Sequence, residues 1–155
     1  MSLLCWNCHV VGNPTIVHEL RALAKKFTLT VLCIVETQID RVHVENLKGE
    51  LGYNKSYVVS SDGRSGGLGL FWNDEINSQV SGYSKYHIDA MVNNAGATPW
   101  RLACIYGEAQ VQERYKTWDK MRELVGHSMK EICPRGNNKV IIYFLIIMIN
   151  VYYSC

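Results

Sequence analysis

A short segment near the start of the chain, Cys5-Trp6-Asn7-Cys8-His9, carries several side chains that could do chemistry. Its C-x-x-C-H spacing fits covalent attachment of a c-type haem, or one half of a zinc site. A third interpretation is a β-strand whose last polar residue, Asn7, faces an active site. The rest of the sequence has to decide among the three.

The haem and zinc interpretations lack the partners they need. The N-terminal segment has no basic region and its apolar run is interrupted at Asn7, so we expect no secretory signal. The six cysteines should then remain thiols in a nuclear or cytoplasmic protein that is not secreted. Covalent haem needs export and a second axial ligand from a mostly helical fold. Zinc needs a second Cys/His pair at ligand spacing, and none follows.

The composition indicates one folded domain. The chain has 155 residues, of which 48% are hydrophobic and 19% are charged, values typical of a globular protein with a real core. The net charge of +2 is too small to indicate a nucleic-acid or membrane partner by itself.

The first part of the chain predicts a β-α-β unit. Residues 2–8 are predicted as a strand, and Asn13 followed by Pro14 is a typical helix start. Ile16, Leu20, Leu23, Ala24 and Phe27 give the helix one apolar face. The apolar run of residues 29–35 predicts a strand buried on both faces. If the two strands are parallel, their polar ends lie at one edge of the sheet, where chemistry collects in such folds.

The middle of the chain predicts a second helix and then short strands. Asp40 is a candidate N-cap for a helix closed by Gly52. Six short segments with turn residues between them follow up to Tyr106 and predict an antiparallel meander.

The end of the chain predicts one more helix and an apolar tail. Residues 108–126 repeat apolar side chains at helical spacing; the predicted stripe consists of Val111, Tyr115, Trp118, Met121 and Val125. Residues 139–155 are apolar without alternation, and no Asp follows Asp119 and no Glu follows Glu131.

Asn7, Glu36 and Tyr106 each stand at or just after the end of a predicted strand. An amide, a carboxylate and a phenol at one rim form an oxygen-rich set that suits Mg²⁺ and a phosphate better than a soft metal. Spacing alone leaves other interpretations open, because Asn7 could satisfy backbone groups at a strand end and Tyr106 could be a core aromatic residue.

A resemblance supports the active-site interpretation. The segments "MSLLCWNC", "VETQIDRVHVENLKGELGY", "VVSSDGRSGGLGLFW", "YSKYHIDAMV", "PWRLACIYGEA" and "TWDKMREL" resemble, in the same order, the endonuclease domain of plant LINE-type (non-LTR) retrotransposon polyproteins. That domain belongs to the endonuclease/exonuclease/phosphatase superfamily, whose DNase I-like fold is a four-layered α/β sandwich of two mixed sheets with flanking helices. The resemblance implies an enzyme that cuts DNA phosphodiesters with Mg²⁺.

The resemblance also implies roles for individual residues. Glu36 would be a metal ligand, Asn7 would help hold the metal and phosphate, and Tyr106 would position the scissile phosphate. Arg64, His87 and Asp89 would lie near the substrate face. The alternatives are that Arg64 is only a turn residue and that His87 is structural.

The chain departs from the family in two places. His9-Val10 stands where the family usually has Arg-Gly. The family's later Gly-Asp-Phe-Asn, a further Asp and a terminal Ser-Asp-His have no counterpart, so most of the metal cage and the activation of water would be lost. We therefore expect weak or absent Mg²⁺ binding and no meaningful nuclease activity from these residues.

The predicted architecture is a partial DNase I-like sandwich, α/β with mixed sheets, in which the C-terminal half is missing. Residues 1–138 would be the N-terminal part of the endonuclease domain and residues 139–155 a divergent apolar tail whose first residues fit the next strand. An exposed sheet face could favour self-association. Two alternatives are a tail-anchored membrane protein, although the run is shorter than a usual span, and a non-catalytic DNA-binding remnant that uses Arg64 and Lys85.

Overall fold

The computed structural model describes residues 2–9, 11–63, 66–93, 99–107, 111–132 and 142–147. Their elements in chain order are β1 (Leu3–Asn7), α1 (Pro14–Lys26), β2 (Val31–Val35), α2 (Arg41–Leu51), β3 (Lys55–Val59), β4 (Leu68–Trp72), β5 (Ser78–Ser84), β6 (His87–Val92), β7 (Trp100–Tyr106), a 3₁₀ turn at Val111–Glu113, α3 (Tyr115–Ile132) and β8 (Ile142–Ile147). The predicted β-α-β unit, the second helix and the first strand of the tail are all present.

The two predicted helix starts are confirmed by their caps. The Asn13 side chain accepts a hydrogen bond from the Thr15 amide at 3.0 Å, and the Asp40 side chain accepts one from the His43 amide at 3.1 Å. Each cap satisfies a backbone donor that the first helical turn leaves without a partner. Gly52 ends α2 with a left-handed φ of 87°, a conformation that costs glycine little.

The strands of the described residues form two mixed sheets of four strands each. The first sheet has the order β1-β2-β4-β3 and the second β5-β6-β7-β8. The pairs β1/β2 and β7/β8 are parallel, and the other neighbouring pairs are antiparallel.

The alternation of side chains along the strands produces four layers. On β2, Leu32 and Ile34 face a core shared with α1 and α2, whereas Cys33 and its alternate neighbours face the space between the sheets. On β7, Ala103 and Ile105 pack against α3. The order of layers is therefore helices, sheet, sheet and helix, and the prediction that β2 is buried on both faces is confirmed.

The prediction of one continuous meander is wrong. β3 and β4 pair in the first sheet, and β5, β6 and β7 form a meander in the second sheet. The connection between β4 and β5 crosses the sandwich, and its Ile76 is buried in the core between the sheets. Local alternation predicts strands but does not show which sheet a strand joins. Residues 94–98, most of one predicted segment, lie outside the described residues.

The predicted boundaries and packing stripe of the third helix also need correction. α3 begins at Tyr115 after the 3₁₀ turn, and residues 108–110 lie outside the described part. Trp118 and Val125 of the predicted stripe are exposed, and Leu124 is buried with Met121 packed beside it.

The predicted apolar face of α1 also needs one correction. Phe27, assigned to that face, is 56% exposed because it follows the last helical residue.

The helices of the described residues include none with the length and apolarity needed to cross a membrane. Of the apolar tail, residues 142–147 form β8, and residues 139–141 and 148–155 are not described.

Candidate functional site

The two cysteines of the C-x-x-C-H segment pack in different parts of the core. Cys5 on β1 packs toward the core between the sheets, whereas Cys8 lies in the core beneath α1 and α2. The two sulfur atoms therefore lie on opposite faces of the first sheet and are not placed to share a ligand. Burial raises the pKa of the Cys8 thiol to about 12, so the thiolate that binds metal is disfavoured.

The ends of β1 and β2 build the candidate site, as the sequence predicts. The two strands are parallel, and Asn7 at the end of β1 lies opposite Val35 at the end of β2. Glu36 follows directly. The Cys8 amide donates to the Val35 carbonyl at 2.9 Å, which continues the pairing one residue past β1 and holds the two chain segments together at this edge.

The carboxylate of Glu36 is the centre of the site. Its side chain is only 11% exposed, and the hydroxyl of Tyr106 donates to Oε1 at 2.5 Å. The other oxygen, Oε2, lies 2.8 Å from Nδ1 of His9. Tyr106 ends β7 of the second sheet, so this hydrogen bond joins the two sheets through a buried charge. A carboxylate with charge-assisted hydrogen bonds on both oxygens is held in one orientation.

Asn7 makes a local contact in this structure. Its side-chain oxygen accepts a hydrogen bond from the His9 backbone amide at 3.1 Å. This is the backbone-satisfying arrangement that the sequence leaves open, and it places the Asn7 amide beside the His9 turn. A catalytic role for Asn7 and for Tyr106 stays a prediction.

Backbone strain is concentrated at this edge. His9, Glu36 and Gln38 have φ values of 42°, 56° and 52°, in the left-handed region that residues with a side chain adopt at a cost. The Gln38 amide donates to the Gly66 carbonyl at 3.2 Å, which ties the strained segment to the β3–β4 hairpin. Strain of this kind tends to occur at functional sites.

The β3–β4 hairpin and α3 supply the surroundings of Tyr106. A small cavity of about 70 Å³ beside Tyr106 and Tyr86 is lined by Asp62, Gly67 and Lys85 among others. A second cavity of about 180 Å³ is lined by the same two tyrosines and by Lys116 and Lys120 of α3. Sequence reasoning missed Tyr86 and the two α3 lysines, because no local signal shows that α3 packs beside the end of β7.

The structure does not describe Arg64, whereas it places Asp89 in a buried ion pair. Arg64 belongs to the β3–β4 hairpin but lies outside the described residues. Asp89 is 1% exposed and accepts from Arg101 at 2.6 Å (Nε to Oδ1) and 2.5 Å (Nη2 to Oδ2). These contacts account for Asp89 as part of a buried ion pair, and its role at a substrate face stays a prediction.

His87 is also buried, with 3% of its surface exposed. Its Nδ1 lies 2.6 Å from the Ser84 hydroxyl, within hydrogen-bonding distance. This contact fits the structural alternative, and a substrate-binding role for His87 stays a prediction.

The stability of the fold should fall when the pH drops below about 6.5, and His87 is the reason. Burial, helped by the positive charge of Lys120, lowers the pKa of His87. Between the two pKa values the imidazole of His87 is protonated in the unfolded chain and neutral in the folded chain, so lowering the pH favours unfolding. Urea unfolding across this pH range should show the loss, and His87→Gln should remove part of it. The exposed His18→Gln is the control, and an unchanged pH dependence in His87→Gln would contradict this account.

The described donor atoms do not fit Mg²⁺ well. Mg²⁺ prefers octahedral oxygen ligands and binds through one or two carboxylates together with substrate phosphates. Glu36 offers a single carboxylate whose two oxygens already have partners. Within the described ranges, no three side chains of the His, Cys, Asp and Glu types come together as a metal site.

We compared the chain with protein-family models, with curated proteins and with solved structures. No protein-family model matches the sequence, and no curated protein matches it either. Solved structures do match, and they define a DNase I-like fold, so the predicted fold class is confirmed.

Three similar structures illustrate the match. AP endonuclease LMAP from Leishmania major has a TM-score of 0.67 and 12% identity, covering 93% of this chain and 54% of that one. TDP2 from Caenorhabditis elegans has a TM-score of 0.62 and 12% identity, over 94% and 46% of the two chains. The APE2 catalytic domain from Xenopus laevis has a TM-score of 0.55 and 15% identity, over 93% and 57%. The chain spans about half the length of the structures it matches, and identities this low establish the fold alone.

Proposed function

We propose that this chain is the first half of a DNA endonuclease domain of the kind found in plant LINE-type retrotransposon polyproteins, and that these residues alone do not cleave DNA. The proposal combines the sequence resemblance with the DNase I-like fold. Two of the similar structures carry the name AP endonuclease, from Leishmania major and Archaeoglobus fulgidus.

The observation that carries the proposal is the contact between Glu36 and Tyr106. These residues are separated by 70 positions in the chain, and their side chains meet at 2.5 Å at the edge where both sheets end. A carboxylate that holds a cation and a phenol that orients a phosphate are groups that a phosphodiesterase site uses.

Inactivity follows from the donors that this chain offers. Phosphodiester hydrolysis needs a base or a metal-bound hydroxide to activate water. Glu36 is engaged on both oxygens, and the sequence has no Asp beyond Asp119 to supply the family's later carboxylates. The nuclease machinery is therefore incomplete within these residues.

DNA is the proposed partner, and the surroundings of Tyr106 support it. Lys85, Lys116 and Lys120 line the two cavities beside Tyr86 and Tyr106. Lysines bind phosphates electrostatically. Self-association is a further proposal. The two sheets pack face to face, so the predicted exposed sheet face is not the surface available for it. The candidate surface is instead the edge strand β1 within the described residues, whose Trp6 is 37% exposed.

Plasmid nicking tests whether the chain is inactive. The purified chain, Glu36→Ala and the exposed control Glu50→Ala are incubated with supercoiled plasmid and Mg²⁺. We expect no nicking by any of the three. Nicking by the parent and by Glu50→Ala, but not by Glu36→Ala, would show that half of the sandwich assembles a working site.

DNA binding is tested separately by fluorescence anisotropy over a range of salt concentrations. Affinity should fall as salt rises, and Lys116→Gln should reduce the slope of log K against log[salt] by about one. Lys48→Gln on α2 is the control and should leave the slope unchanged. Salt-independent binding, or no binding, would contradict the proposed partner.

A further inference from the structure

Three cysteine thiols meet in the core between the two sheets. Cys5 lies on β1, Cys33 on β2 and Cys104 on β7. Cys33 and Cys104 are buried in this core, and Cys5 packs against it. The thiols of Cys104 and Cys5 each share a hydrogen bond with the thiol of Cys33. Sulfur atoms in such contact can be joined by a covalent bond where the backbone spacing allows it.

The backbone spacing allows one of the two bridges that Cys33 could form. Cys5 and Cys33 are register partners on neighbouring parallel strands, and neighbouring strands lie about 4.8 Å apart. This spacing falls within the range of about 4.4–6.8 Å between the Cα atoms of a disulfide. Cys104 belongs to the facing sheet, and facing sheets lie about 10 Å apart, which exceeds the limit of about 7 Å. A bridge from Cys33 should therefore reach Cys5 and not Cys104.

Solvent access distinguishes the two members of this pair. Cys5 is partly exposed on a strand that forms the edge of its sheet within the described residues, whereas Cys33 has 0% of its surface exposed. The hydrogen bonds with Cys104 and Cys5, helped by burial, hold the pKa of the Cys33 thiol well above its usual range. An oxidant from solvent therefore meets Cys5 first, and Cys33 remains beside it as a protonated thiol.

We infer that Cys5 and Cys33 form an oxidative modification site, at which hydrogen peroxide closes a disulfide between β1 and β2. In the first step the Cys5 thiolate attacks one peroxide oxygen. An S–O bond forms, the O–O bond breaks, and the leaving hydroxide takes a proton from solvent and departs as water. The product is a sulfenic acid on Cys5.

The second step closes the disulfide. The Cys33 sulfur attacks the sulfenic sulfur of Cys5, so that the S–S bond forms and the S–O bond breaks. The hydroxyl group leaves with the Cys33 proton as a second water. In total the two thiols are oxidised by two electrons, and the peroxide is reduced to two molecules of water.

The bridge joins the two strands that carry the candidate site. Cys5 lies two residues before Asn7, and Cys33 lies three residues before Glu36. Neither nuclease activity nor DNA binding enters this chemistry, which uses only the two thiols and the register of β1 and β2. Disulfides inside cells are usually transient and redox-sensing, which agrees with cysteines that are free thiols in this structure.

Peptide mapping of the oxidised chain tests the modification site directly. The folded parent chain is treated with hydrogen peroxide at neutral pH, blocked with N-ethylmaleimide and digested with trypsin without reduction. Trypsin releases Cys5 and Cys8 together in residues 1–21, and it releases Cys33 in residues 27–41. We expect these two peptides as a linked pair that is lighter than their sum by two hydrogen atoms. Treatment with dithiothreitol should separate the pair.

Serine variants show which cysteines form the bridge. Cys5→Ser should abolish the linked pair. Cys8→Ser is the matched control and should retain it, because Cys8 lies in the core on the other face of the first sheet. Cys104→Ser should also retain the pair, since the facing sheet is too distant for a bridge. Thermal unfolding before oxidation confirms that each variant is folded, and Cys5→Ala replaces Cys5→Ser if serine prevents folding.

Oxidation in urea separates the folded register from simple chain proximity. Once the register is lost, Cys5 should pair mainly with Cys8, which is three residues away, because a short loop closes at a lower entropic cost. The yield of the linked pair should then fall, and an equal yield in urea would contradict selection by the fold.

Other results would also overturn the inference. They include a folded parent chain that keeps its thiols under peroxide, a linked pair that persists in Cys5→Ser or disappears in Cys8→Ser, and a bridge between Cys33 and Cys104. Oxidation of Cys5 to sulfinic or sulfonic acid without any linked pair would overturn it as well, since Cys33 would then not have reached the sulfenic sulfur.

Discussion

Asp89→Ala should destabilise the fold by about 3–5 kcal/mol. Asp89 and Arg101 form a buried ion pair on neighbouring strands β6 and β7, with side chains only 2% and 6% exposed. The Ser81 hydroxyl also donates to Asp89 at 2.9 Å, and Arg101 donates to the Leu124 carbonyl at 3.2 Å. Removing the carboxylate would leave the guanidinium charged and buried without its main partner. Urea unfolding measures the loss directly.

Two controls separate the buried charge from a general effect of losing an ion pair. Asp119→Ala removes a carboxylate from an exposed pair with Arg122, and it should change stability by less than about 1 kcal/mol. The double variant Asp89→Leu/Arg101→Met should recover most of the loss, since a well-packed apolar pair often replaces a buried ion pair without penalty. A loss of less than about 1 kcal/mol in Asp89→Ala would show that the pair contributes little.

Gly67→Ala should cost roughly 2–5 kcal/mol, the sum of left-handed strain and overpacking. Gly67 has a φ of +90°, and a β-carbon there would lie 2.1 Å from the Thr37 hydroxyl oxygen. Thr37 is fully buried, and its amide donates to the Gly67 carbonyl at 3.4 Å. The clash would push apart the hairpin and the segment that follows Glu36. Thermal and urea unfolding report the loss.

Gly63→Ala in the same hairpin is the matched control. Gly63 has a φ of +61°, but a β-carbon added there would meet nothing within 4 Å, so only the strain of about 1–2 kcal/mol should remain. Thr37→Ala should relieve the clash, so Gly67→Ala should cost less in that background than in the parent. Equal losses in Gly63→Ala and Gly67→Ala would show that the close approach to Thr37 does not matter.

Local signals are enough to predict the elements that carry Glu36. Asn13, Asp40 and Gly52 are recognisable as caps because their chemistry acts on backbone groups a few residues away. β2 is recognisable because a continuous apolar run is typical of a strand covered on both sides. The position of Asn7 and Glu36 at one sheet edge follows from parallel pairing of β1 and β2, which the structure contains.

These local signals do not predict how elements that are distant in the sequence pack against each other. Trp118 and Val125 have the spacing of a core stripe, yet α3 buries Leu124 and presents those two residues to solvent. Helical periodicity shows which residues share a face of a helix. The sheet against which the helix packs determines which of these faces is buried. The same limit applies to β4 and β5, which are consecutive strands in different sheets.

Short-range patterns in the sequence specify most strands and helices of this chain, the edge at which its polar strand ends meet and, through resemblance, the fold class. Periodicity, caps and turn residues act over a few positions, and that range is enough for these features. The partners of the charged groups, in contrast, are visible only in the folded chain: Tyr106 and His9 take the two oxygens of Glu36, and Asp89 pairs with Arg101. Those contacts depend on how two sheets and a turn pack in three dimensions, and no spacing along the chain encodes that packing.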